Sequence, residues 1–298
     1  MLYLYNEYFS FWAKIKKFLG KPSRGPEAVF NSLIFGLQEI GTEFVVNQPF
    51  RGYMDMVCVL SGVSVVRQAI KYKQQGKIGM LVVGPNVVVE PNEAKGILKL
   101  PEIDKILVPS QWVRDFYIFK APALASKIVV WFAGVSDLGY SQNGKKVKVD
   151  IVYKSGDFNL VEEAYNLSKK NGLIPSILFY GQFDHNDYIE NLKEIKFLVY
   201  ISESESQGLA LHEAWMANVP TLVWDRGYME YKHMKWTGNT SAPYLTQETG
   251  IVFKSIEDLQ TQFELMLRTY QQFSPRDYSL KNWTNKISAQ KFLKILNA

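Results

Sequence analysis

The sequence predicts an α/β protein made of two doubly wound parallel-sheet domains. Three observations lead there: short apolar runs alternate with helical periods along the chain, the alternation restarts after a polar stretch near residue 144, and small or polar residues recur where strands end. In the first half the apolar runs are Phe44 to Val46, Met54 to Leu60, Ile78 to Val83, Lys105 to Val108 and Ile128 to Phe132. Helical stretches separate them at Pro26 to Ile40, Ser64 to Gln74 and Gln111 to Phe119. In the first of these helices Val29, Phe30, Leu33, Ile34, Leu37 and Ile40 keep a helical period, and Pro26 stands where a first turn accepts proline. Gln142-Asn143-Gly144-Lys145-Lys146 has the composition of a linker, so the boundary falls near residue 144. The second set of strands is Val147 to Tyr153, Ile177 to Tyr180, Phe197 to Ile201 and Thr221 to Trp224. The expected division is 1–143, 144–275 and a C-terminal helical segment, 276–298, returning to the first domain.

A chain of 298 residues, 47% hydrophobic, can build two cores of ordinary size. Its single cysteine, Cys58, lies in an apolar strand, which points to a buried, inert thiol and a reducing cytoplasm. Asn6 and Glu7 interrupt the apolar-aromatic start of the chain, and no basic flank precedes it, which argues against a signal peptide or spanning helix. The net charge of +5 is concentrated at the ends: residues 1–25 and 276–298 each contribute +4, leaving −3 between them. Two readings of the first cluster stand. Interleaved with aromatics, the bases of residues 1–24 suit peripheral contact with an anionic inner-membrane surface; equally, they suit a solvated face packed on its own aromatics. The small charge excess and the lack of a recognised module argue against nucleic-acid binding.

Ligands of open α/β sheets bind at the carboxyl ends of strands, and here those ends carry Ser61-Gly62, Gly84-Pro85-Asn86, Pro109-Ser110, Lys154-Ser155-Gly156, Gly181-Gln182 and Ser202 to Gln207. The last is the most informative. Between the strand ending at Ile201 and the helical run Leu209 to Val219, Glu205 sits on the loop and Glu213 one turn inside the helix. Amides of Gln207, Gly208 and Leu209 at that helix start can meet a diphosphate. Two carboxylates beside them can accept hydrogen bonds from vicinal hydroxyls. Acidic residues near a helix start also serve the helix dipole alone. The three histidines, His185, His212 and His233, have no metal-ligand spacing, His212 reads as helix packing, and there is no Asp-x-Asp, so no metal and no bound cofactor is expected.

The whole string from Glu205 to Pro220, Glu-x7-Glu with Gly208 between and Glu-Ala-x-Met-Ala after, resembles the signature of family 4 retaining glycosyltransferases of the GT-B fold, two Rossmann-like domains facing across a cleft. Gly25 to Phe30, Val108 to Val113, Trp131 to Ser136 and Thr249 to Phe253 are similar to further segments of that family. One departure is that Lys154 stands alone after the first strand of the second domain, where the family usually has two bases. The resemblance implies transfer from a nucleoside-diphosphate sugar to a carbohydrate or lipid-linked acceptor with retention, metal-independent, the leaving diphosphate helping to take the acceptor proton. It implies that Glu213 binds the ribose and Glu205 the transferred sugar. Lys154 with the Gly208 and Leu209 amides would hold the diphosphate. Gly181 and Gln182 would hold the base through their main chain, and Gly25 with Arg24 would approach the phosphates from the first domain. A non-hydrolysing sugar-nucleotide epimerase and a catalytically silent GT-B module are the alternatives.

Overall fold

The computed structural model describes residues 1–7, 25–139, 146–238 and 240–298. The chain forms two compact units, Met1–Gly134 with Asn285–Ala298, and Val135–Thr284.

Unit 1 holds a six-stranded parallel sheet, β1 (Leu2–Tyr5), β2 (Phe44–Val46), β3 (Met54–Ser61), β4 (Ile78–Asn86), β5 (Lys105–Val108) and β6 (Ile128–Val130), in the order β2-β1-β3-β4-β5-β6. Helices α1 (Gly25–Glu39), α2 (Val63–Gln74) and α3 (Gln111–Lys120) lie between the strands in sequence. β1 corrects the reading of the chain start. Leu4 pairs with Val46 on one side and Cys58 on the other, and Leu4 and Tyr5 are fully buried. Tyr5 stacks on Phe50 with ring centroids 4.6 Å apart and donates its hydroxyl to the Gln48 carbonyl at 2.7 Å. Residues 2–5 are therefore core and are withdrawn from any membrane face. Arg24, the basic cluster before it and the linker centred on Gly144 lie outside the described residues. Cys58 is fully buried, and burial pushes its thiol above the ordinary range.

Unit 2 holds a five-stranded parallel sheet of β7 (Lys148–Tyr153), β8 (Ile174–Phe179), β9 (Ile195–Ile201), β10 (Thr221–Trp224) and β13 (Gly250–Phe253), ordered β13-β10-β9-β7-β8. β11 (Tyr228–Tyr231) and β12 (Met234–Thr237) form an antiparallel hairpin between β10 and β13 in sequence, with Lys232 and His233 at its turn in left-handed conformation. The helices are α4 (Asn159–Lys170), α5 (His185–Leu192), α6 (Leu209–Met216), α7 (Ile256–Thr269) and α8 (Pro275–Asn282). The strands are apolar on both faces because helices cover both. Val149, Ile151, Phe197, Val199 and Ile201 pack with α4 and α7, whereas Val152, Leu198 and Tyr200 pack with α5 and α6. β8 begins at Ile174, three residues before the expected start: Pro175 reads as a breaker in sequence, but β8 is an edge strand, where a missing amide costs no ladder bond. α6 stops at Met216 rather than Val219, ended by Asn218 in left-handed conformation.

The last helix, α9 (Asn285–Asn297), belongs to unit 1. Its Ser288 carbonyl accepts from the Trp131 indole at 3.0 Å, and its Ser288 hydroxyl donates to the Phe132 carbonyl at 2.6 Å. Gly36 on α1 permits the contact: a Cβ there would lie 2.1 Å from the Asn285 carbonyl oxygen.

Candidate functional site

Within unit 2 the chain runs from β7 outward to the edge strand β8 and then returns to the opposite flank of β7 as β9. The helices that follow β7 and β9, α4 and α6, pack on opposite faces. The carboxyl ends of β7 and β9 are thus the switch point at which open α/β sheets leave a crevice for ligands. Lys154 follows β7, with its amide bonded to the Ile201 carbonyl at 2.9 Å, and Ser202 to Glu205 follow β9.

These two strand ends bring Lys154 and Glu205 together. The Lys154 ammonium lies 2.7 Å from Glu205 Oε1, which also accepts the Tyr200 hydroxyl at 2.6 Å and the Ser202 hydroxyl at 3.4 Å. Glu205 keeps 7% exposure and its amide donates to the Thr240 carbonyl at 2.6 Å, so both its main chain and its carboxylate are fixed. Burial and the Glu205 charge hold the Tyr200 hydroxyl far above its ordinary range, so it remains a proton donor to the carboxylate. The Lys154 side chain is 31% exposed and its ammonium also sits 4.8 Å from the Tyr180 ring centroid, a cation–π contact. Tyr180 closes the turn Tyr180-Gly181-Gln182, in which Gly181 takes φ +81 and the Gln182 amide donates to the Phe179 carbonyl at 3.0 Å.

Gly208 is the N-cap of α6 in left-handed conformation, φ +85, and offers no side-chain cap. Its carbonyl accepts the Leu211 and His212 amides at 3.0 and 3.2 Å. Among the described residues the Gly208 and Leu209 amides meet no acceptor, as expected of a helix start open to an anion. Gln207, immediately before, is buried at the same start.

Glu213 lies one turn inside α6. Burial pushes the Glu213 carboxyl up to about 8, which favours its protonated form, one that both donates and accepts. Its side chain is 17% exposed, and His185 Nε2, on the 62% exposed first residue of α5, approaches Glu213 Oε1 to 3.4 Å. His212, by contrast, is the packing residue its position suggests: fully buried, it meets Trp215, Tyr244 and Trp283 edge-on, and burial lowers its imidazole to about 3. Gly25 opens α1 in unit 1 with nothing near its Cβ position.

In sequence Tyr200 was not singled out, and Ser202 and His185 were named without a role at the site. Tyr200 had a signal, since it alternates with Leu198 on the face of β9 that turns toward α6, but a strand tyrosine is ordinarily core. His185 had none, because its neighbour is 28 positions away. Among the described residues no group of three His, Cys, Asp or Glu side chains is arranged to hold a metal ion.

No family model and no curated protein sequence matches the chain. Solved structures do. TarM from S. aureus superposes with a TM-score of 0.60 at 12% identity over 91% of this chain and 58% of TarM. The lipopolysaccharide outer core galactosyltransferase WaaB gives 0.54 at 13%, over 91% and 79%. The UDP-GlcNAc 2-epimerase of Methanocaldococcus jannaschii gives 0.51 at 11%, over 99% of both chains. The fold is GT-B, two Rossmann-like units. The chain spans less than two thirds of the length of TarM and of the GtfA/B chain it resembles.

Proposed function

We propose that this chain is a retaining glycosyltransferase that takes its sugar from a nucleoside diphosphate and needs no metal. The observation that carries the reading is the convergence of Lys154, Glu205 and an uncapped helix start at the switch point of unit 2, with Glu213 one turn behind. In this reading the diphosphate lies against the Gly208 and Leu209 amides. The Lys154 ammonium, already held by Glu205, neutralises the charge that develops on it as the glycosidic bond breaks. Glu205, fixed by Tyr200 and Thr240, accepts hydroxyls of the sugar. Glu213, as a neutral acid, gives one hydrogen bond to the ribose and takes another. The Gly181-Gln182 turn holds the base, the leaving phosphate takes the acceptor proton, and Gly25 with Arg24 serves the phosphates from unit 1. A carbohydrate or lipid-linked hydroxyl is the acceptor, in a reducing cytoplasm, and any peripheral membrane contact falls to residues 8–24. No helix among the described residues is long and apolar enough to cross a membrane.

The neighbours support a UDP-sugar donor: a TarM structure holds UDP and alpha-GlcNAc-glycerol, and a pneumococcal O-GlcNAc transferase holds UDP and GlcNAc. The epimerase likeness, which spans both chains almost fully, supports a second reading as a sugar-nucleotide epimerase. A panel of sugar nucleotides assayed by thermal shift identifies the donor, because a ligand that prefers the folded state raises the midpoint. Product analysis then separates the readings. Transfer or hydrolysis releasing free nucleotide supports the transferase, isomerised donor with no nucleotide released supports the epimerase, and binding without turnover leaves a silent module.

A further inference from the structure

On the other face of the same strand ends, unit 2 contains a second recess. A cavity of about 560 Å³ opens beside α4 and α7, within the size range of small-ligand pockets. The loop after β9 divides it from the crevice described above: Glu205 turns to Lys154, whereas Glu203 turns into the cavity. Its lining is more polar than apolar, the apolar part coming from Trp224, Leu160 and the exposed Ile256.

Its polar side is built in advance. Arg226 is mostly covered and held by four contacts: NH2 lies 3.2 Å from Glu203 Oε1, Nε donates to the Tyr228 carbonyl at 3.1 Å, and the guanidinium sits 4.3 Å from the Tyr228 ring centroid and 5.7 Å from that of Trp224. The main chain of Glu203 is fixed as well, its amide taking the Ser155 hydroxyl as acceptor at 3.1 Å and its carbonyl accepting the Ser241 hydroxyl at 3.3 Å. Asp157 and Lys254 complete the rim, and the Lys254 ammonium has no ion-pair partner among the described residues.

We propose that this cavity is a carbohydrate-binding site for a neutral oligosaccharide, separate from the donor crevice. A pyranose presents an apolar C–H face and a rim of adjacent hydroxyls, each donor and acceptor. The cavity presents the complement: an apolar side at Trp224 and Ile256, and a paired carboxylate and guanidinium whose neighbouring acceptor and donor groups match two vicinal hydroxyls. Three acids, Asp157, Glu203 and Glu257, stand against two bases, Arg226 and Lys254, around it, which suits a neutral ligand over a phosphate. Because Arg226 and the Glu203 main chain are held before any ligand arrives, less freedom remains to be lost on binding. The proposal does not depend on transfer at Lys154.

Calorimetric titration of the full chain with maltotriose, chitotriose and cellotriose, with inorganic phosphate as a separate arm, tests it. At least one trisaccharide is expected to bind, with affinity reduced roughly tenfold or more in Glu203→Gln and in Ile256→Glu, each removing one element of the complement. Lys154→Met leaves that affinity unchanged. Ile256 and Glu203 are surface side chains, and matching thermal melts verify that the variants fold; Lys254→Met supplies a further rim variant. Binding of none of the three sugars overturns the proposal, as does binding that Ile256→Glu and Lys254→Met leave intact. Phosphate binding lost with Lys254→Met would make the cavity an anion site and overturn the neutral-sugar assignment.

Discussion

Glu213→Gln tests the electrostatics of the crevice without any ligand. In the folded chain burial raises this carboxyl from its ordinary 4.5 to about 8. Between those values the native state holds a proton that the unfolded chain has released, so native stability is fully present at low pH and declines as pH rises toward 8. A tenfold change in proton affinity is worth about 1.4 kcal/mol, which makes the upper limit roughly 5 kcal/mol. The side chain is still 17% exposed and His185 lies at its edge, so solvent and the imidazole reduce the cost of ionisation, and a loss of about 2 to 3 kcal/mol is expected. Glutamine keeps the shape, one donor and one acceptor, and cannot ionise. Urea unfolding from about pH 5 to about pH 9 should show wild type losing that stability while Glu213→Gln stays nearly level, the two curves meeting in acid and separating in base. Parallel curves would refute the assignment of a neutral Glu213.

Lys154→Met removes the cation from the buried Glu205 carboxylate; since Lys154 is itself about a third exposed, the expected loss of stability is about 1 to 2 kcal/mol by denaturant unfolding. On the proposed function, the same variant lowers kcat about 100-fold or more while the fold is retained, measured by nucleotide release. Gly156→Ala should destabilise unit 2 by about 2 to 4 kcal/mol in chemical melts, because φ is +108 and the new Cβ would lie 2.2 Å from the Trp224 ring. Gly36→Ala should cost about 1 to 3 kcal/mol in unit 1 and raise amide exchange in α9, because its Cβ meets the Asn285 carbonyl.

The alternation of apolar runs with helical periods was enough to locate most strands, and β2, β5 and β10 fall on the residues the runs predict. Local pattern carries that information because strands and helices differ in period, two against 3.6. It failed where a segment's fate depends on distant neighbours. Leu2–Tyr5 reads as part of the apolar-aromatic start of the chain, yet it lies between β2 and β3, which supply its hydrogen bonds. Tyr228–Thr237, rich in lysine and aromatics, reads as a loop, but Lys232 and His233 adopt the turn that lets its two arms pair.

The sequence by itself determined the chemistry on offer: two acids eight positions apart, a glycine before a helix, and one lysine after an apolar strand. Only the tertiary structure decided what each of them is. It set Lys154 against Glu205, 51 residues apart, because β7 and β9 are neighbours across a crossover. It made the surroundings of the two acids unlike, one held by a cation and hydroxyls, the other pushed by burial toward its protonated form. The physical reason is that charge state follows from desolvation and from neighbours within a few ångströms, and those neighbours come from parts of the chain that only folding brings together.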